Sequence, residues 1–154
     1  MKRANGLGAV VLVIGCVVIP SLSWADGWQG WRGSGGWGAG SPYNRCYDPT
    51  NVETFFGEVT RIEATVPMGG MSDGISLLLT MQRASVPVHL GPTWYIERLD
   101  TRIEVGDRIE VKGAKAFAAG VPAVIAAEVR KGDSVLVLRD AAGIPVWAGW
   151  RRVK

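Results

Sequence analysis

The sequence contains very little of the residue types on which catalysis and metal binding most often depend. Its 154 residues include one histidine, His89, and two cysteines, Cys16 and Cys46. Nucleophilic catalysis requires a base within hydrogen-bond reach of the nucleophile and a third group that orients the base, and no nucleophile-elbow motif is present. The acidic residues mostly alternate with apolar ones, as on the solvent-facing side of a sheet. The sequence therefore predicts a protein that is not an enzyme.

Net charge is also nearly absent once the N-terminus is set aside. Residues 1–25 have the three parts of a secretory signal: a basic start at Lys2 and Arg3, an apolar run over 7–19, and small residues that end at Ala25. The run is too short for a membrane-spanning helix, which needs about 20 apolar residues. We expect cleavage after Ala25 and release into the periplasm or the medium. The remaining chain has 15 basic and 14 acidic side chains, a net charge of +1, which disfavours nucleic acid as a partner.

The two cysteines leave a second interpretation of the N-terminus open. The string VIGC at 13–16 also fits a lipoprotein box in which Cys16 is acylated, and only in that case would the protein be anchored to a membrane. If the signal is cleaved after Ala25, Cys46 is the single remaining cysteine and no internal disulfide can form. Cys46 is then either a tolerated, partly buried thiol or a thiol that pairs with a partner chain.

Residues 26–46 form a stretch rich in glycine and tryptophan between the signal and the folded part. Trp28, Trp31 and Trp37 are spaced by glycines, which lose the most conformational entropy on ordering, and no strand or helix period is present. This composition predicts a flexible leader, although three tryptophans could also dock on a partner, a membrane interface or the domain itself. The folded domain is predicted over 47–154.

Beyond the leader, the hydrophobic pattern is that of a small all-β domain. β-branched and aromatic residues fill 52–66, and Gly57 within this run predicts a bend or a bulge. Further strands are predicted at 75–82, 85–90, 105–117 and 122–132, with a short helix at 93–99 and a closing hairpin over 132–150 whose turn is 140–143. Five main strands with a short helix between the third and fourth favour an OB-fold-like barrel. A β-sandwich, the alternative, normally has about seven strands or more.

Several strings of this region resemble a known family. VPVHLGPTWYIE at 86–97, VGDRIEVKG at 105–113 and LVLRDAAGIPVWAGWRR at 136–152 are similar to an exported bacterial domain that also forms the N-terminal part of the magnetosome proteins MamS and MamX. The resemblance covers 47–152 and implies an exported OB-like module, without implying a place in a magnetosome. Relatives often bear the name DNA-binding protein, which reflects the OB-like shape. The cytochrome-bearing relatives attach haem through C-x-x-C-H motifs, and this chain has none, so neither covalent haem nor another cofactor is expected.

Aromatic and basic side chains around the histidine and at the C-terminus are the candidate binding residues. OB-folds stack bases or sugars on flat aromatic surfaces. The candidates are His89, Trp94, Tyr95, Trp150, Arg151 and Arg152. For Trp94 and for Trp147 packing against the ends of the barrel is favoured over recognition, whereas Trp150 is expected to be exposed. We expect a protein partner in the exported compartment; a single-stranded nucleic acid or an oligosaccharide is the alternative.

The histidine supports one further hypothesis. Pro87 and Pro92 flank His89 and lack backbone donors, so the ring is expected to donate to a carbonyl or to cap the short helix, with ligand contact as the alternative. Imidazole and thioether groups also suit copper. His89 with Met68 and Met71 therefore gives a second function hypothesis, a soft-metal or redox accessory protein, which the lack of a second histidine or cysteine nearby weakens.

Overall fold

The computed structural model describes residues 34–149 of the chain. The following predicted features lie outside this range: the signal peptide, Cys16, Trp28, Trp31, Trp150, Arg151 and Arg152. Within 34–149, no helix is long and apolar enough to cross a membrane.

The described part of the chain is all-β, with one short α-helix. The elements are a 3-10 helix (Asn44–Cys46), β1 (Val52–Thr65), β2 (Gly74–Thr80), β3 (Ser85–Pro92), α1 (Thr93–Ile96), β4 (Arg108–Ala118), β5 (Val121–Lys131), β6 (Ser134–Val137) and a second 3-10 helix (Val146–Gly149). The predicted all-β class, the five main strands and the short helix between the third and fourth of them are confirmed.

The strands are hydrogen-bonded into one sheet whose ends meet. The order is β3-β2-β1-β4-β5-β6, and all of these neighbouring pairs are antiparallel. An additional parallel pairing joins β3 to β5, through Val88 opposite Val124 and His89 opposite Ile125. The pairings therefore lead from β3 through β2, β1, β4 and β5 back to β3, a ring of five strands, and β6 extends the sheet along β5.

Strand β1 belongs to both halves of this ring. Its first part pairs with β4 up to Glu58, and its second part pairs with β2 from Glu58 onward. A Cβ atom at Gly57 would lie 2.6 Å from the carbonyl oxygen of Thr80, so only glycine lets the two backbones approach this closely. The register of β1 against β2 then shifts between Val59 and Arg61. The irregularity predicted at Gly57 is thus present, and the register shift itself lies a few residues further along the strand.

The core fills the inside of the ring and extends into the residues that precede β1. Valines and leucines of β2, β3 and β5 are buried together with Trp37 and Tyr43, which are 0% and 1% exposed. The indole N–H of Trp37 donates to the carbonyl oxygen of Ser72 at 3.0 Å. The structure thus differs from the flexible leader predicted over 26–46. From residue 34 onward this segment packs on the sheet, because the aromatic area that it buries outweighs the entropy cost of ordering its glycines.

The C-terminal hairpin is only partly as predicted. Its turn is present: Gly143 N–H donates to Asp140 O at 3.0 Å, and the Asp140 carboxylate accepts from the N–H groups of Ala142 and Ile144, both at 2.9 Å. The returning segment makes a single bridge, Arg139 to Pro145, and then forms the 3-10 helix. Proline has no N–H to donate to a ladder, which explains why no strand continues from it.

Candidate functional site

The single histidine lies in β3, where the ring of strands closes. His89 is 7% exposed, and its Nδ1 atom is 3.0 Å from the hydroxyl of Tyr43. The N-cap residue of α1 is Pro92, and no side chain forms a capping hydrogen bond there. The expected bond from His89 to a carbonyl, or to the start of the helix, is therefore replaced by a bond to a phenol from the segment that precedes β1.

A buried arginine lies in the same region. Arg139 is 3% exposed, and its Nη1 donates to the carbonyl oxygen of Ala126 at 3.1 Å. The rings of Tyr47 and Trp147 each have their centroid 5.4 Å from the guanidinium carbon, a distance at which an aromatic ring attracts a cation. Nε and Nη2 have no hydrogen-bond partner, and no ion pair to Arg139 occurs among the described residues.

The backbone of the sheet explains why this arginine points inward. The N–H groups of Leu138 and Arg139 both donate to the carbonyl oxygen of Ala127, at 2.7 and 3.0 Å. Two consecutive residues opposite one residue of the partner strand are the pattern of a β-bulge, which turns the following side chain away from strict alternation. Leu138 and Arg139 are consequently both buried. Strict alternation from Leu136 would place Arg139 on the outer face, so the sequence pattern does not identify it.

The charges of this cluster are set mainly by burial. Burial, and after it the positive charge of Arg139, together lower the pKa of His89 to about 4. Burial also raises the pKa of the Tyr43 phenol, against the opposing effect of Arg139. At neutral pH the imidazole and the phenol are therefore uncharged. The cluster then contains one buried cation, the Arg139 guanidinium, whose own pKa is lowered by burial.

The predicted aromatic candidates lie next to this cluster in a continuous chain of ring contacts. Trp94 and Tyr95 are half-buried, with centroids 6.2 Å apart, and the Tyr95 centroid is 5.2 Å from that of Trp147. Trp147 is 3% exposed and donates from its indole N–H to Trp37 O at 2.8 Å. Tyr95 and Trp94 are thus connected to Arg139 through Trp147, whose ring lies against the guanidinium. Trp147 is therefore a packing residue, as the sequence favours, and not an exposed recognition surface.

The three residues of the soft-metal hypothesis have separate surroundings. Met68 and Met71 lie in the loop between β1 and β2 and pack against the core. The Met71 side chain lies against Gly36, where an added Cβ would be 2.6 Å from the methionine Cγ. The Nδ1 atom of His89 is occupied by Tyr43. Within residues 34–149 no group of three or more His, Cys, Asp or Glu side chains is arranged to hold a metal ion.

An open groove lies where β1, β4 and the ends of β2 and β5 meet. It has a volume of about 650 Å³ and is lined by Phe56, Glu58, Met81, Arg108, Glu110 and Arg130, among others. Phe56 is 66% exposed although it is a large apolar side chain. None of these residues is among the site candidates that the sequence indicates, because Phe56 and the charged residues read as outer positions of alternating strands and Met81 falls at the end of a predicted strand.

Comparison with protein families identifies a family over most of the sheet. Residues 51–136 match the family model of the MamS/MamX magnetosome proteins, which covers more than half of the chain. No curated protein sequence matches the chain. The matched range contains β1 to β5, His89 and all the groove residues named above, whereas Tyr43, Tyr47 and Arg139 fall outside it. The resemblance inferred from the sequence strings is confirmed.

Proposed function

Because the chain belongs to the MamS/MamX magnetosome protein family, we propose that it is an exported, non-enzymatic binding or adaptor module with a magnetosome-protein-like role. We further propose that its ring of strands is a small OB-like barrel. The strand pairings support this: a long β1 serves both halves, α1 lies between β3 and β4, and β3 pairs with β5 in parallel. Closed sheets of this kind carry ligand surfaces on a rigid support.

The groove at Phe56 carries the proposal. An exposed phenylalanine costs free energy in water, and a large apolar side chain in a concave surface is typical of a recognition site. Phe56 supplies an exposed apolar side chain, and Met81 also lines the groove. We therefore assign the groove as the surface to which the partner binds.

The charges around the groove indicate the kind of partner. Glu58 is opposite Arg108 in the β1–β4 register, and Glu110 is opposite Arg130 in the β4–β5 register. Two carboxylates and two guanidinium groups leave the lining without an excess of either sign. A polyanion requires a basic surface, whereas a polypeptide segment with an apolar anchor and side chains of both signs matches this lining. The partner that we propose is such a segment of another exported protein.

The non-enzymatic character is supported by the state of the buried cluster. A general base works best with a pKa near the operating pH, and the pKa of His89, at about 4, lies well below neutrality. The Nδ1 atom of His89 is hydrogen-bonded to the hydroxyl of Tyr43, and the pKa of this hydroxyl is raised. A phenol of this kind is a poor nucleophile at neutral pH, so the pair is suited to holding the fold together.

Site-specific photocrosslinking in the producing cells tests the proposed function. A photoreactive amino acid at position 56 should link the exported protein to one partner protein, whereas the same group at position 117 should not. Phe117 is a matched control, since it is 70% exposed and lies at the far end of β4. With the purified partner, Phe56→Ser should weaken binding about 10-fold or more, as expected for an apolar anchor, and Phe117→Ser should not. Equal crosslinking at both positions, or unchanged affinity of Phe56→Ser, would refute the groove as the binding surface.

A further inference from the structure

The unpaired donors of Arg139 form one geometric unit. Nη1 is bonded to Ala126 O, and within residues 34–149 Nε and Nη2 have no hydrogen-bond partner. These two lie on one edge of the planar guanidinium, and their N–H bonds point in parallel. This edge is one of the two forks with which arginine binds both oxygens of a carboxylate. The two free donors can therefore bind both oxygens of one anion at the same time.

Burial makes an empty fork costly. An unsatisfied buried donor carries the full cost of its desolvation, and the cost is larger when the group is charged. Arg139 is 3% exposed, and the described residues place no carboxylate within ion-pair distance of it. The rings of Tyr47 and Trp147 compensate part of the charge, but a ring contact offers no acceptor in the plane of the two N–H groups.

We propose that Arg139 is the binding residue for a small carboxylate anion of the size of formate or acetate, held in a bidentate manner by Nε and Nη2. A planar anion with two oxygens matches the fork, and the aromatic rings of Tyr47 and Trp147 exclude water and strengthen both hydrogen bonds. The small size follows from the burial of the arginine. This site is separate from the groove at Phe56, and it does not depend on the function proposed for that groove.

The single histidine provides a local probe of the site. Arg139 contributes to the lowered pKa of His89, so the imidazole lies in the electric field of the guanidinium. An anion on the fork cancels part of that field. The ring carbon and proton signals of His89 are the only histidine signals of the chain, and NMR can follow them without assignment of the rest of the protein.

The experiment is a titration of the purified exported protein with sodium formate and with sodium acetate at pH 7, against sodium chloride at equal ionic strength. We expect a saturable change in the His89 ring signals, and a saturable rise in Tm, with the carboxylates and not with chloride. Arg139→Lys keeps the positive charge and removes the fork, so the apparent Kd should increase about 10-fold or more. Arg83→Lys is the control, because Arg83 is exposed between β2 and β3, and it should bind as the unchanged protein does.

Three results would overturn the proposal. A response to chloride equal to that to formate would show a general salt effect. The lack of a saturable response to either carboxylate would show that the fork does not bind them. An unchanged Kd in Arg139→Lys would place the anion elsewhere.

If Arg139→Lys does not fold, the comparison of formate with chloride on the unchanged protein is by itself the test of the proposal. Phe56→Ser should leave the titration unchanged, which separates this result from the outcome of the crosslinking experiment.

Discussion

His89 and Arg139 show how two basic side chains can share one buried region. The guanidinium keeps its charge because its ordinary pKa is far above neutrality, and the aromatic rings beside it favour the cation. The imidazole has an ordinary pKa near 6.5, so burial and the neighbouring cation suffice to keep it neutral. Its uncharged Nδ1 can then pair with the protonated hydroxyl of Tyr43.

The lowered pKa of His89 predicts a specific sensitivity to acid. Folding holds the ring neutral down to about pH 4, whereas the unfolded chain protonates it near 6.5. The unfolded state therefore binds more protons in this window, and the free energy of unfolding should fall by about 3 kcal/mol as the pH decreases from 6.5 to 4. Urea unfolding at pH 7 and at pH 4.5 measures the loss, and His89→Gln should remove most of it.

The carboxylates of the protein act at lower pH and serve as the internal check. The pKa of Asp107 is lowered, first by its hydrogen bond from Lys131. A carboxylate of this kind stabilises the fold above its unfolded pKa, and the contribution is lost as the pH falls below about 4. If His89→Gln lost as much stability at pH 4.5 as the unchanged protein, the acid sensitivity would have to be assigned to groups other than the histidine.

The surroundings of the residues in the soft-metal hypothesis predict that the protein does not bind copper or zinc tightly. His89 is bonded to Tyr43, and Met71 packs against Gly36, so we expect the protein to retain neither copper nor zinc in a 1:1 ratio after desalting. Elemental analysis of the desalted protein is the measurement. A tight stoichiometric complex that is lost in His89→Ala, and kept in a variant of an exposed residue such as Arg83→Ala, would establish the soft-metal hypothesis.

At the scale of the elements, β1 depends on one position where a side chain cannot be accommodated. A Cβ atom at Gly57 would lie 2.6 Å from Thr80 O and 3.0 Å from the Leu79 Cγ atom. Gly57→Ala should therefore lower the free energy of unfolding by about 1–3 kcal/mol, the usual cost of overpacking. Gly69→Ala is the matched control in the β1–β2 loop, where an added Cβ meets nothing within 4 Å. It should be neutral or stabilising by up to about 1 kcal/mol.

Urea unfolding of the two glycine variants decides this prediction. A shift in midpoint for Gly57→Ala alone would show that the close approach of β1 to β2 sets the cost. Similar midpoints for both variants would mean that the backbone at Gly57 moves aside without penalty, and that the approach of the strands is not a constraint on the sequence.

The elements also show what hydrophobic patterns can and cannot predict. The positions of β1 to β5 follow from β-branched runs and turn residues, and these were predicted within a few residues. Arg139 was not, because the bulge at Leu138 and Arg139, opposite Ala127, depends on pairing with another strand and leaves no local sign. Tyr43 was missed for a related reason: a glycine-rich segment indicates flexibility locally, whereas its burial depends on a distant sheet. The hydrophobic pattern along one segment does not show which distant strand the segment pairs with or packs against.

For the whole molecule, export is the property that the proposed partner in the exported compartment requires. Ser23 and Ala25 supply the small residues of a cleavage site, so the mature protein should begin at Asp26. Intact-mass and N-terminal analysis of protein from the exported fraction measure this. A diacylglycerol-modified Cys16 at the N-terminus would instead show a lipoprotein, and the Cys16→Ser variant would then lose its membrane association.

The parallel pairing of β3 with β5 has a consequence for how the chain reaches its native state. It consists of two residue pairs, Val88 with Val124 and His89 with Ile125, and all of α1 and β4 lie between them in sequence. The antiparallel pairs β2–β3 and β4–β5 join neighbouring segments and can form early, whereas this contact closes a long loop for few hydrogen bonds. We therefore expect the ring to close late in folding, and the β3–β5 amides to exchange with solvent through an opening smaller than complete unfolding. The β2–β3 and β4–β5 hairpins would then form first, and the β3–β5 pairing would join them last.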